Sequence, residues 1–209
     1  MRRRSRRGIV GIEAAIVMIA FVIVAAALAF VALNMGMTAT QKAKQAIGSS
    51  LGEASSALMV DGDVIANVTS TGKVDALVIP LRLSSGKNPI DMSPNKTAIA
   101  VEVNGTYYPN VYKKGPYTSP TDLKTVYSSL EAGNPTGPNA TVVFVINDGD
   151  NILEYGEKAL VVVYLPSKSQ IGPYDTIRVE IKPPQGAPLL VERTIPASLP
   201  TGGGEVSLG

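Results

Sequence analysis

The chain has no cysteine, no histidine and no tryptophan. Without cysteine there is no disulfide, so any outer domain must hold by packing and hydrogen bonding alone. Metal sites built from thiolate or imidazole are excluded by the same absence. Cysteine nucleophiles and the Ser–His–Asp arrangement go with them. No GxxxxGK[ST] loop occurs, so the chain carries no phosphate-binding loop for nucleotide-driven work. These gaps remove the commonest hydrolase chemistries and leave carboxylate or Lys chemistry open.

Positive charge is scarce once its distribution is considered. The sequence holds 19 Lys and Arg against 17 Asp and Glu, a net charge of +2. Five of the cations, Arg2, Arg3, Arg4, Arg6 and Arg7, crowd the first seven residues. Removing them leaves 14 basic against 17 acidic residues, or −3. A nucleic-acid partner needs a basic surface, and the body of this chain has none to offer.

What the chain does have is a long apolar run directly behind that basic head: MRRRSRRGIVGIEAAIVMIAFVIVAAALAFVALN. The 20 residues from Ala14 to Leu33 carry no charge. As a helix they span about 30 Å, the thickness of a bilayer's hydrocarbon core. The arginines would stay on the cytoplasmic side. A secretory signal has its small-residue cleavage site after the apolar region. Here the small residue, Gly8, comes before it. Cutting after Gly8 discards only residues 1–8 and leaves the apolar segment on a mature chain of 201 residues. An uncut signal anchor is the alternative. Glu13 weighs against a plain anchor, because a carboxylate in a membrane helix costs about 2.5–3.5 kcal/mol at mid-bilayer and less near the interface. Such a group calls for a cationic partner. Cleavage would create one, the new α-amino group of Ile9, available to Glu13 of another subunit.

RRG followed by IVGIEAAIV resembles the class III signal of type IV pilin-like proteins, and Glu13 is fifth when Ile9 is counted as first. The continuation AFVALNMGMTATQKAKQAI is similar to an archaellin, the archaeal flagellin, of the crenarchaeal kind. The similarity is most specific over residues 6–60. Many euryarchaeal archaellins lack the acid, so Glu13 keeps an adhesive pilin open as an alternative. The resemblance implies a prepilin peptidase acting between Gly8 and Ile9. It implies a precursor anchored in the inner membrane and a separate assembly motor and platform. The product would be an extracellular filament of this subunit, alone or with paralogous subunits. Ile9, Glu13, Ile16, Phe21, Leu28 and Phe30 would then pack one subunit's helix against others.

Helical spacing continues beyond Leu33, with Ala39, Ala43, Ala46, Ile47, Leu51, Ala54 and Leu58 at steps of three and four. The helix is expected over residues 9–60, ending at the Asp61-Gly62-Asp63 turn, with a mild bend at Gly36. An outer domain, residues 61–209, follows. VDALVIPLRL, TAIAVEV, ATVVFVI, KALVVVYL and DTIRVEI are short β-branched runs split by turn residues. They predict about seven to nine strands in an antiparallel β-sandwich, which the family resemblance makes Ig-like. The fold class is therefore α+β. Pro80 inside a run suggests an edge or bulge. Residues 104–138 read as long loops with one short strand near Thr125 to Tyr127. The glycine-rich tail from Leu199 reads as mobile unless neighbours hold it.

Three sets of residues remain. Asn147 to Glu157 is an acidic loop in which Asp148, Asp150 and Glu154 could offer oxygens to Ca²⁺ or Mg²⁺. An Asp-Gly hairpin explains the same residues without an ion, and the spacing is not that of an EF-hand. Asn67, Asn95, Asn104 and Asn139 head Asn-x-Ser/Thr sequons, and the resemblance implies N-glycosylation. Tyr107, Tyr108, Tyr112, Tyr117 and Tyr127 cluster in the loop-rich stretch, where packing is the ordinary role for such rings. The reading as a whole is a non-enzymatic subunit that polymerises into the archaellum. An adhesive pilin, or a signal-anchored ligand-binding β-domain, stands as the alternative.

Overall fold

The computed structural model describes residues 7–54, 58–118, 121–132, 135–200 and 202–209. The chain divides into two compact units, Met1–Leu51 and Gly52–Gly209.

The first unit is dominated by α1 (Arg7–Ala54), 48 residues without interruption. At 1.5 Å per residue that is roughly 70 Å of helix. Gly36 lies inside the continuous helix rather than at a break. The two threonines that follow are made compatible with an apolar helix locally. Thr38 Oγ1 donates to the Asn34 carbonyl and Thr40 Oγ1 to the Gly36 carbonyl, both at 2.8 Å. Back-bonding of this kind satisfies the hydroxyl without a partner from outside.

The second unit is a two-layered β-domain. Its strands are β1 (Leu58–Val60), β2 (Ile65–Val68), β3 (Val74–Leu83), β4 (Ile90–Asp91), β5 (Ala98–Val103) and β6 (Thr106–Tyr108). After the helix α2 (Leu123–Glu131) come β7 (Asn139–Ile146), β8 (Ile152–Leu153), β9 (Lys158–Tyr164), β10 (Thr176–Lys182), β11 (Leu189–Thr194) and β12 (Gly204–Ser207). The first sheet runs β12-β2-β3-β9-β7, with β1 also paired to β3. The second runs β11-β10-β5-β6, and β4 and β8 form a small third pair. Every pairing between these strands is antiparallel.

The two large sheets share one core. Leu77, Ile79, Phe144, Val161 and Val163 from the first meet Ile99, Val101, Ile177, Val179 and Ile181 from the second. The other face of the first sheet is covered too, where Val78, Val143 and Val162 pack on Val126 and Leu130 of α2. This explains a difference between the strands. β10, with water on one face, alternates (TIRVEIK), whereas β7 and β9, covered on both, read as continuous apolar runs (ATVVFV, LVVV).

Four expectations need correction. Leu58–Val60 is strand, not helix, because Leu58 is buried in the sandwich and pairs with Leu83. The Asp61 turn thus follows a strand, and the boundary between units falls near residue 51 instead of 60. Residues 104–138 are mostly loop, but they also hold β6 and α2. Asn104-Gly105 makes a tight hairpin between β5 and β6, and both residues take positive φ, as such a turn requires. Residues 111–117 then cross from one sheet to the other. The Val111 N–H donates to the Ile99 carbonyl, and the Tyr117 N–H to Val142. Thr125 to Tyr127 lies in α2, whose N-cap Asp122 accepts from the Lys124 N–H. Twelve strands are present among the described residues, more than expected, since several are two to four residues long. Finally, the tail is tied down, because β12 pairs with β2 from Gly204↔Val68 to Ser207↔Ile65.

Pro80 does mark a local edge, though within a central strand. Its carbonyl accepts from the Asp61 N–H, so that side of the residue faces the gap where β2 has ended and β1 has not begun. In an antiparallel strand N–H and C=O point the same way, so the missing donor falls where no strand needs it. Asp61 closes this gap by pairing with Arg82 at 3.2 Å and Lys158 at 2.6 Å.

Candidate functional site

The candidate surface is the side of α1, which from Ala14 to Leu33 has no polar face. Ile16, Val17, Met18 and Ile19 are consecutive and all well exposed. Successive residues turn by about 100°, so four in a row cover the whole circumference. Phe21, Val22, Ile23, Val24, Leu28, Phe30, Val31 and Leu33 continue the pattern, with Phe21 reaching 76% exposure. A helix apolar all round is stable only when covered all round. Among the described residues it is the one helix long and apolar enough to cross a membrane. Ile16, Phe21, Leu28 and Phe30 thus stand free in the isolated chain.

Glu13 is the only charged residue between Gly11 and Gln41, and it is exposed. It has no hydrogen-bonding or ionic partner among the described residues. Gly8 and Ile9 lie in the first turn of α1. Arg2, Arg3, Arg4 and Arg6, part of the expected leader, lie outside the described residues. Gly11, Gly36 and Gly48 have no atom within 4 Å of a built Cβ, so another helix could approach the backbone closely there.

The four sequon asparagines separate into two kinds. Asn67, in β2, is half-buried and its Nδ2 donates to Asp75 Oδ1 at 2.7 Å. Asn139, at the start of β7, is half-buried and donates from Nδ2 to the Leu130 carbonyl at 3.2 Å. Asn95 and Asn104 are exposed on turns.

The acidic loop connects β7 to β9 and is organised by its own backbone. Glu157 accepts from the Asp148 and Glu154 N–H groups at 3.0 and 2.9 Å. Asp150 accepts from the Ile152 N–H at 2.7 Å, and Asp148 from the Asp150 N–H at 3.4 Å. Among the described residues no three carboxylates converge as an ion site. The hydrogen bonding is that of a structured turn, extended by β8 pairing with β4.

Most of the tyrosines pack. Tyr112 is buried, donates to the Met92 carbonyl, and burial pushes its hydroxyl far up. Tyr117 shares a hydrogen bond with Ser129, and Tyr127 lies against the α2 cluster with its pKa pushed up to about 12 by burial. Tyr107 is the exposed exception, beneath the Lys182 ammonium.

Asp75 is the strained carboxylate of the domain. Burial raises its pKa above 3.8, and the Asn67 hydrogen bond only partly offsets this. A folded-state pKa above the unfolded one means that charge on Asp75 opposes folding. That penalty is present at neutral pH and fades as pH falls through the folded value. Asp75→Asn, which still accepts from Asn67, is expected to melt at a higher temperature than wild type at pH 7. The two melting curves should converge as pH drops through the carboxylate range. Equal melting temperatures at pH 7 would refute this.

Comparison with known proteins follows the same surfaces. The model of a family described as archaeal-type flagellin matches residues 8–193. A protein named probable flagellin 1 from Aeropyrum pernix is 54% identical over 209 residues, covering 99% of this chain and 100% of the relative. Probable flagellin 2 from Archaeoglobus fulgidus is 32% identical, covering 94% of this chain and 93% of its own length. The archaeal flagellum of Methanospirillum hungatei strain JF1 superposes with a TM-score of 0.60 at 25% identity, over 92% of this chain and 97% of that one. The crystal structure of archaeal flagellin FlaB1 from Methanocaldococcus jannaschii shares the fold, with a TM-score of 0.58 at 20% identity over 72% of this chain and 96% of that one.

Proposed function

The chain belongs to the archaeal-type flagellin family and is a structural, extracellular subunit of the archaellum filament, and we propose that it is made as a membrane-held precursor, cut between Gly8 and Ile9, and polymerised through α1. The observation that carries this reading is a helix apolar on every side with one unpartnered carboxylate near its start. In the precursor, lipid covers the helix, with the arginines on the cytoplasmic side of the inner membrane. A prepilin peptidase removes residues 1–8. An assembly platform and motor then move the helix from lipid into a bundle of other subunits' helices.

That exchange gains little from dehydration, since lipid is as apolar as leucine. It gains from close packing, helped by Gly11 and Gly36, and from pairing Glu13 with the Ile9 amine of a neighbour. Once the filament stands in water the balance changes. Each Ile, Val, Leu or Phe kept buried is then worth about 1.5–3 kcal/mol against exposure. Subunits do not leave. Rotation is supplied from outside the chain.

The outer domain supplies the surface of the filament. A glycan needs open space at the asparagine amide. Asn95 and Asn104 have it, while Asn67 and Asn139 spend their amides inside the domain. Mass spectrometry of purified filaments tests processing and decoration together. The expected result is Ile9 as first residue and glycopeptides at Asn95 and Asn104 only. Filaments that begin at Met1 would sink the processing step, and a glycan at Asn67 or Asn139 would sink the site assignment.

A further inference from the structure

Lys42 and Lys44 are the first charges on α1 after Glu13. Both are exposed, and neither has a partner among the described residues. With Gln41 and Gln45 they form a polar collar. At about 100° per residue, positions 41, 42, 44 and 45 cover the whole circumference except the side of Ala43. The helix thus passes from apolar all round to polar nearly all round within about one turn after Met37. The hydroxyls just before the collar mark the same boundary. Thr38 and Thr40 turn back on the helix and donate to the Asn34 and Gly36 carbonyls. A hydroxyl satisfied in this way needs no water.

The spacing of the charges matches a bilayer. Glu13 and Lys42 are 29 residues apart on one unbroken helix. That is about 43 Å, and a bilayer with its headgroups is about 40–45 Å thick. With Lys42 at the outer headgroups, Glu13 lies at the inner ones, where its charge costs least. Residues 18–37 then fill the hydrocarbon core, with Thr38 at its edge. The Gly8–Ile9 peptide falls about 50 Å from Lys42, just inside the cytoplasm and clear of lipid. The arginine head pulls the other way. It is drawn to the inner phosphates, and unopposed it would slide the helix outward until it reached them. That slide would carry Glu13 into the core and the Gly8–Ile9 bond into the headgroups.

We propose that Lys42 and Lys44 bind the phosphates of outer-leaflet lipids in the precursor. By opposing the arginine head they hold Glu13 out of the hydrocarbon and the Gly8–Ile9 bond out of the headgroups. Lysine suits this role, because its long stem lies along apolar surface while the ammonium reaches a phosphate. The contact rests on the membrane-held precursor described above.

The chain lacks cysteine, so a single introduced one reports depth. Full-length chains carrying Val24→Cys, Met37→Cys or Ala46→Cys are placed in phosphatidylglycerol nanodiscs and treated with a water-soluble maleimide. With both lysines present, Ala46→Cys should react and the other two should be protected. Adding Lys42→Gln and Lys44→Gln should make Met37→Cys react faster, on the order of tenfold, the scale of two basic side chains at an anionic surface. Lys42→Arg with Lys44→Arg should keep Met37→Cys protected. In nanodiscs of a neutral galactolipid, which has no phosphate, the Gln pair and the Lys pair should label alike. The proposal is overturned if the Gln pair changes nothing, if the Arg pair acts like the Gln pair, or if the Gln effect persists without phosphate. Labelling of Val24→Cys at the rate of Ala46→Cys would instead sink the membrane-held precursor itself, and the proposal with it.

Discussion

A Glu13→Ala chain is expected to be trimmed after Gly8 like wild type but to yield almost no filament. The carboxylate does no work in the isolated chain, where it has no partner among the described residues. Losing it removes a cost from the precursor, since a charged acid in a membrane helix is unfavourable by up to about 3 kcal/mol. Membrane insertion and cleavage should therefore be unharmed or improved. The polymer is affected in the opposite direction. Without Glu13, the Ile9 amine of a neighbour is buried with no counter-charge, and breaking such a pair costs roughly 3–5 kcal/mol. That cost recurs at every subunit. Electron microscopy of sheared filaments, alongside an immunoblot for the trimmed chain, measures both effects. Normal filament yield with Ala at position 13 would end the pairing model.

Phe144→Ala should destabilise the outer domain by about 3–5 kcal/mol, because removal of a large buried ring leaves a cavity that the core fills only in part. Phe144 is fully buried, and its N–H donates to Tyr117, so it ties β7 to the crossing segment as well as to the core. Against a domain stability of about 5–15 kcal/mol this is a large share. Urea unfolding of the full chain in detergent, followed by tyrosine fluorescence, gives the number. Phe21→Ala is the informative contrast. Phe21 is exposed in the isolated chain. Its loss should leave the urea midpoint alone and weaken only the polymer. A change below about 1 kcal/mol for Phe144→Ala would mean that the two sheets do not share the core described here.

Legibility differed between the two units for a physical reason. α1 is specified by local rules, namely an apolar run of the right length and helical spacing that continues past it. Its surface could be read residue by residue because its large apolar side chains from Ile12 to Leu33 are exposed. The alternating strands β5 and β10 were equally plain, since water on one face writes itself as every second residue polar. The helix α2 is faint in the sequence, its signal being only Asp122 and the spacing of Leu123, Val126 and Leu130. Nine residues among turn formers make a weak periodic signal. Its clearest trace lies elsewhere, in the unbroken apolar runs of β7 and β9, which need a cover on both faces. Leu58–Val60 and Gly204–Ser207 carry no local strand signal, because a three- or four-residue strand takes its conformation from its partner.

The sequence by itself determined the basic head, the position of Gly8, the apolar helix and the lone acid, because each depends only on order and composition along the chain. Tertiary structure alone decided which sequon amides are already engaged and which are open. It alone showed that the acidic loop is satisfied by its own backbone. Those properties arise from contacts between residues far apart in sequence, and no local pattern records them.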